Sequence, residues 1–303
     1  MGVELGRDAT LLTGTLTALY TPFGEDGGVE WPAYTALCER MVDAGSGLVP
    51  CGTTGETPAL TPEEYLRAIT VAARVAGDRV PVVAGTGTSA TRTTIELTKL
   101  ALQAGADAAL VVVPPYNKPP QCSLIAHFTA VAEHGGLPIV LYNVPGRTGT
   151  NMTAATTLAL ARNPRFIAIK EAAGDLGQLA SLVNGAPTGF TVLSGDDAMT
   201  LPLLALGGHG VVSVASNVVP KAVVAMVRRG LAGDIPAARE YHHALTPLFE
   251  ALFAVSNPIP LKRAAALLGH GRADVRLPLT ADALDDAAAQ RLAKALEHAL
   301  SLA

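Results

Sequence analysis

Two kinds of apolar pattern alternate along the chain. Eight short runs are apolar almost without interruption: GTLTALY (14–20), SGLVPCG (46–52), VPVVAGT (80–86), DAALVVV (107–113), PIVLYNV (138–144), RFIAIKE (165–171), FTVLSG (190–195) and GVVSVAS (210–216). They are rich in Val, Ile and Leu and mostly lack polar alternation, the pattern of parallel strands covered on both faces. Between them lie stretches of helical character, 31–45, 61–77 and 89–105, then shorter ones near 121–134, 153–162, 176–184, 197–206 and 220–229. Thr61 reads as an N-cap, with Pro62 at the first helical position and Glu64 completing a capping box; Gly105 reads as a stop. Eight strand signals interleaved with eight helix signals predict an α/β fold, a (β/α)8 TIM barrel. A doubly wound sheet uses the same βα units, but eight regular units favour closure. After about residue 230 the pattern changes. Segments 235–255, 258–268 and 281–301 all read as helix with no strand between, and Pro258 and Pro260 mark one boundary. The expected division is a catalytic barrel over 1–230 and a C-terminal helical region over 231–303 packed on it.

Composition narrows the class of activity. The 303 residues are 49% apolar, enough for a large core, and only 16% charged. A net charge of −4 carries no electrostatic footprint for nucleic acid or an anionic membrane. The three cysteines, Cys38, Cys51 and Cys122, are odd in number and widely spaced, which argues against a disulfide framework and for a reducing cytoplasm. The N-terminal MGVELGRDATLL lacks a basic segment leading into an apolar one, and lacks the Ser or Thr at position 6 that myristoylation takes. No apolar run approaches the roughly 20 residues of a membrane span. The expectation is a cytoplasmic protein acting on small molecules, with no nucleic-acid or membrane partner.

In a parallel barrel the chemistry gathers at the C-terminal ends of the strands. The second run ends in CGTTGE (51–56), where Thr53 and Thr54 stand between glycines. Successive N–H groups with two hydroxyls suit a carboxylate or phosphate, and an ordinary βα turn looks the same. The third ends in AGTGTSA (84–90), a poor match to a dinucleotide loop and better read as a plain turn. The fourth leads into VVPPYNKPP, with Tyr116 in a proline-stiffened loop. The fifth ends in LYNVPGRTG, with Tyr142 and Arg147. A buried Tyr commonly just packs, and an Arg after a Pro-Gly turn is commonly solvated.

The sixth run ends in Lys170. Of the six lysines (99, 118, 170, 221, 262 and 294), it alone is placed by an apolar strand; Lys262 falls in the helical tail. Burial disfavours an ammonium ion, and the neutral amine is the form that attacks a carbonyl to give a Schiff base. The other reading is a buried Lys170–Glu171 ion pair, weakened because adjacent strand residues point to opposite faces. Metal chemistry has little support. None of the seven histidines falls in HxH or HExxH spacing, and the Asp196–Asp197 pair reads more simply as a helix N-cap.

Taken together, GTTGE, VPPYN, YNVPGRTG, IKEAAGD, LSGDD and GGHGVVSV resemble the dihydrodipicolinate synthase / N-acetylneuraminate lyase family of Schiff-base aldolases. The resemblance runs from TALYTPF (17–23) to SNPIPLK (256–262). It implies a barrel with a C-terminal helical extension and a homotetramer, a dimer of dimers. In that family's pattern Lys170 forms the imine with pyruvate, Tyr142 shuttles protons, Thr53 relays them, and Thr54 holds the pyruvate carboxylate. Tyr116 matches a tyrosine inserted into the neighbouring subunit's site, and Gly195 and Val212 match backbone and packing positions near pyruvate. Arg147 selects within the family, because an arginine there binds the carboxylate of aspartate-4-semialdehyde; its planar fork takes a carboxylate through two hydrogen bonds. The implied reaction condenses pyruvate with L-aspartate-4-semialdehyde to 4-hydroxy-tetrahydrodipicolinate, in diaminopimelate and lysine synthesis, without cofactor or metal. Sister lyases acting on N-acetylneuraminate or 2-keto-3-deoxy sugar acids are the alternative. Lysine-inhibited members carry polar groups where this chain has Pro62, Tyr65, Ser89, Thr93 and Pro115, so weak or absent inhibition by lysine is expected.

Overall fold

The computed structural model describes residues 12–302; the N-terminal stretch read above for secretion and acylation lies, but for Leu12, outside the described residues. The eight apolar runs form eight strands: β1 (Gly14–Ala18), β2 (Gly47–Val49), β3 (Val83–Gly85), β4 (Ala108–Val112), β5 (Ile139–Asn143), β6 (Phe166–Glu171), β7 (Thr191–Ser194) and β8 (Gly210–Ser213). Hydrogen-bonded neighbours follow the order β2-β1-β8-β7-β6-β5-β4-β3, and every pair is parallel. The two ends of that order meet through a single parallel bridge, Leu48 to Val82, with Leu48 N donating to Pro81 O at 2.8 Å and Gly85 N to Pro50 O at 2.9 Å. The barrel is therefore closed, with its thinnest seam between β2 and β3. Gly85 makes the seam possible, since a Cβ there would lie 2.0 Å from Cys51 O.

The connecting helices are α1 (Trp31–Asp43), α2 (Pro62–Ala76), α3 (Thr91–Gln103), α4 (Gln121–His134), a four-residue α5 (Pro145–Thr148), α6 (Ala154–Leu160), α7 (Leu176–Gly185), α8 (Thr200–Ala205) and α9 (Pro220–Leu231). The capping box at Thr61 is present in both directions, Glu64 N to Thr61 Oγ1 at 3.2 Å and Thr61 N to Glu64 Oε2 at 2.9 Å. The helix expected over 197–206 begins instead as a 3₁₀ turn at Asp197–Met199, and α5 carries no helical periodicity that would have announced it. After β8 the described chain is helical or irregular, with α10 (Ile235–Ala251), α11 (Ile259–Leu267) and α12 (Asp286–Leu300).

Parallel strands buried on both faces make two apolar layers. Inside the barrel Leu16, Val49, Val83, Leu110, Ala168 and Leu193 fill the lumen. Outside, one continuous layer lies between strands and helices, and it takes in Leu248 of α10, Leu261 of α11 and Leu292 of α12. The tail thus shares the barrel's outer core, with α10 packed against both α9 and α12. Among the described residues no helix is long and apolar enough to cross a membrane.

Candidate active site

A cavity of about 690 Å³ opens at the C-terminal ends of the strands, with Lys170 on its wall. Lys170 lies two residues beyond Ala168 on β6, and Ala168 fills the lumen, so the lysine shares that inward face. It pairs in register with Tyr142 of β5 and Leu193 of β7. Its side chain is 6% exposed, and Nζ sits 4.3 Å from the centre of the Tyr142 ring. Among the described residues no carboxylate forms an ion pair with it. Glu171 faces the other way. Its carboxylate accepts from Asn143 Nδ2 at 3.0 Å, Gln178 Nε2 at 2.9 Å and Ala173 N at 2.7 Å. Burial pushes the Glu171 carboxyl up, and the Asn143 and Gln178 amides pull it back. A Lys170–Glu171 ion pair is excluded; the glutamate ties the end of β6 to β5 and α7. Gly195, also on the wall, leaves room for the lysine: a Cβ there would stand 3.0 Å from Lys170 Cγ and 3.1 Å from Cε.

Beyond β2 the chain turns through Gly52 into a 3₁₀ helix, Thr53–Gly55. First-turn N–H groups have no intrahelical partner, and those of Thr53 and Thr54 find no acceptor among the described residues. Both threonines line the cavity, with Thr54 buried and Thr53 exposed to it. Thr54 Oγ1 accepts from Asn257 Nδ2 at 2.8 Å. Tyr142 and Thr53 share the cavity, but among the described residues no hydrogen bond joins the tyrosine hydroxyl to Thr53. Arg147, in α5, stands exposed at the rim with no carboxylate partner among the described residues. Tyr116 is 91% exposed at φ +74° and does not line its own chain's cavity. Val212 is in the lumen core; the β8-side residue on the cavity wall is Val214.

The stretch AGTGTSA contributes Gly85 and Gly87 to the wall, and both are small for packing: a Cβ on Gly87 would meet Val112 N at 2.4 Å. Asp196 caps the turn after β7, accepting from Ala198 N at 2.9 Å. Buried Asp197 accepts from Ser213 Oγ at 2.5 Å and from Val214 N at 2.9 Å, so the pair organises the ends of β7 and β8. Among the described residues no three His, Cys, Asp or Glu side chains gather as a set of metal ligands.

Among the residues that reading the sequence missed, Phe253, Asn257 and Lys262 lie in the tail. Phe253 and Asn257 line the cavity from the segment between α10 and α11. Lys262, expected as an ordinary tail residue, is fully buried. It pairs with Glu56, donates to Asp274 O at 2.8 Å and lies 3.7 Å from the Phe23 ring centre. Burial pulls its ammonium down to about 8, against the opposing pull of Glu56. Arg276 N donates to the other Glu56 oxygen at 2.9 Å, and the Arg276 guanidinium holds Glu64 through two 2.6 Å bonds. The only sequence signal for this cluster is SNPIPLK, where two prolines break helical periodicity and leave Asn257 non-helical.

The family model described as "Dihydrodipicolinate synthetase family" matches residues 11–299. A protein of Moorella thermoacetica named 4-hydroxy-tetrahydrodipicolinate synthase is 49% identical over 265 residues, 87% of this chain and 91% of that one. One of the same name from Maridesulfovibrio salexigens is 48% identical over 268 residues, covering 88% and 91%. The crystal structure of dihydrodipicolinate synthase from Aquifex aeolicus superposes with a TM-score of 0.90 at 43% identity, covering 94% of this chain and 97% of that one. A family match spanning nearly the whole chain, with the fold to go with it, places this protein in the dihydrodipicolinate synthetase family.

Proposed function

We propose that the protein condenses pyruvate with L-aspartate-4-semialdehyde to 4-hydroxy-tetrahydrodipicolinate, a step of diaminopimelate and lysine synthesis. One observation carries the reading: a buried lysine, without a carboxylate partner among the described residues, on the wall of an open cavity. An amine so placed is a nucleophile for a carbonyl. The curated relatives bear the name of this activity.

Neutral Lys170 attacks C2 of pyruvate, and loss of water leaves an imine. Loss of a C3 proton gives an enamine whose electrons the protonated imine had drawn in. The enamine carbon attacks the aldehyde of the second substrate, and the aldehyde oxygen takes up a proton to become the 4-hydroxyl. The amino group of the condensed chain then attacks C2, closes the ring and releases Lys170. Thr53 and Thr54 offer N–H and O–H donors to the pyruvate carboxylate, and Arg147 offers its fork to the carboxylate of the semialdehyde. Tyr142 carries protons beside Lys170. The proposed relay runs from Tyr142 through Thr53 to the partner subunit's Tyr116. Gly195 leaves space for the imine, and Val212 supports its strand from below. The cycle needs no cofactor or metal. The same reading assigns catalysis to the barrel (1–230) with a helical region (231–303) completing it, a cytoplasmic location and a homotetramer.

Pyruvate with borohydride is expected to leave a reduced adduct on Lys170, absent in Lys170→Ala. No adduct on the wild-type chain would sink the imine mechanism. An assay offering aspartate-4-semialdehyde beside N-acetylneuraminate and 2-keto-3-deoxy sugar acids is expected to show turnover of the semialdehyde; turnover of the sugar acids alone would reverse the choice of substrate.

A further inference from the structure

Asn257 reaches the cavity wall from the segment joining α10 to α11, some 200 residues away from the turn it touches. Its side chain is 5% exposed, and Nδ2 donates to Thr54 Oγ1 at 2.8 Å. A hydroxyl carries one proton and two lone pairs. With a lone pair taken by the Asn257 amide, Thr54 keeps its own proton, and no described residue accepts it. Thr54 is otherwise buried, so the open direction for that proton is the cavity. The free N–H groups of Thr53 and Thr54 belong to the same turn. Three donors without an internal acceptor thus gather at one turn, which is what a carboxylate requires. An acceptor at position 257 would do the reverse, drawing the Thr54 proton away and leaving lone pairs toward an anion.

We infer that Asn257 is a positioning residue for the keto-acid carboxylate: its amide orients the Thr54 hydroxyl as a donor into the cavity. The inference rests on the reading that Lys170 forms an imine with a keto acid. Asn257 acts through Thr54 and does not touch the reacting atoms. The tail then holds the turn at two points, Asn257 at Thr54, and Lys262 with Arg276 at Glu56.

The test is borohydride trapping of the pyruvate adduct across pyruvate concentrations, which separates half-saturation from the maximal amount trapped. Hydrogen bonds to a charged group predict that Asn257→Leu raises half-saturating pyruvate about ten- to a hundredfold, with maximal trapping unchanged. Thr54→Val is expected to do the same. The double variant is expected to be no worse than Thr54→Val alone, because one interaction is removed once. Asn257→Asp separates donor from shape: half-saturating pyruvate rises at neutral pH relative to wild type, and that ratio falls toward one as acidification protonates the side chain and restores a donor. If Asn257→Leu fails to fold, as read by circular dichroism, the Asn257→Asp series decides. Additive losses, wild-type half-saturation in Asn257→Asp at neutral pH, or a loss confined to maximal trapping each overturn the inference. A wild-type chain that traps no adduct overturns the proposed function and this inference with it. A wild-type chain that traps normally, beside unaffected Asn257 variants, overturns the inference alone.

Discussion

In the proposed reaction Arg147 is the residue assigned to the second substrate alone. Its guanidinium stands at the rim unpaired among the described residues, so removing it strands no buried partner. Arg147→Ala is expected to raise the KM for aspartate-4-semialdehyde about tenfold or more, while half-saturating pyruvate in borohydride trapping stays at the wild-type value. Equal loss for both substrates would remove it from the acceptor's carboxylate. His127 governs a different property. It is buried on α4 with Nδ1 2.9 Å from Thr91 Oγ1, and Nε2 has no partner among the described residues. Burial pulls its imidazole from 6.5 down to about 4. Between those values the unfolded chain binds a proton that the folded one refuses. Its contribution is therefore full above pH about 6.5 and is lost as pH falls through about 4, at up to roughly 3 kcal/mol. Urea unfolding of His127→Gln across that range is expected to show a shallower loss of stability on acidification than wild type; parallel curves would show that His127 is not the group responsible.

Among elements, the tail segment around α11 has the largest reach. Lys262 of α11 and Glu56 beyond β2 form a buried pair, and removing one partner leaves the other charge unmatched. Lys262→Met is expected to destabilise the fold by about 3–5 kcal/mol in urea unfolding, and adding Glu56→Gln to recover most of that loss. No recovery would mean that the lysine matters for packing rather than charge. This pair also marks where sequence reading stops. Strand identity was legible because parallel strands buried on both faces are apolar throughout, and Lys170 was legible because it interrupts such a strand. Lys262 sits in a helix that looks like any tail helix; its burial is created by Glu56, Phe23 and Asp274, which local periodicity does not bring together. Asn257 was hidden for the same reason. Val212 lies in the lumen and Val214, two residues on and on the same face, lines the cavity. The little α5 helix at Arg147 was invisible because four residues are too few to show a period.

For the whole molecule, the five positions read against lysine inhibition now have surroundings. Tyr65 is buried and spends its hydroxyl on Gly85 O at 3.0 Å. Pro62 and Pro115 have no side-chain donor, and Ser89 and Thr93 stand exposed. L-lysine is expected to leave the turnover of the purified protein unchanged at micromolar concentrations; clear inhibition there would refute this. Tyr116 stands at φ +74° with nearly all of its side chain in solvent, and the proposed function gives it a place in a neighbouring subunit's site. Sedimentation is expected to show an oligomer, and Tyr116→Phe to lower kcat without changing that mass. The contact between Asn257 and Thr54 has one more consequence, in the time order of synthesis. The turn of Thr53 and Thr54 leaves the ribosome early, and its partners Asn257, Lys262 and Arg276 follow some 200 residues later. At about 5–20 residues per second, that is a wait of roughly 10–40 s. Lys170 is added partway through that wait, and from then until Asn257 is made the nascent chain carries the lysine with neither clamp on the turn beside it.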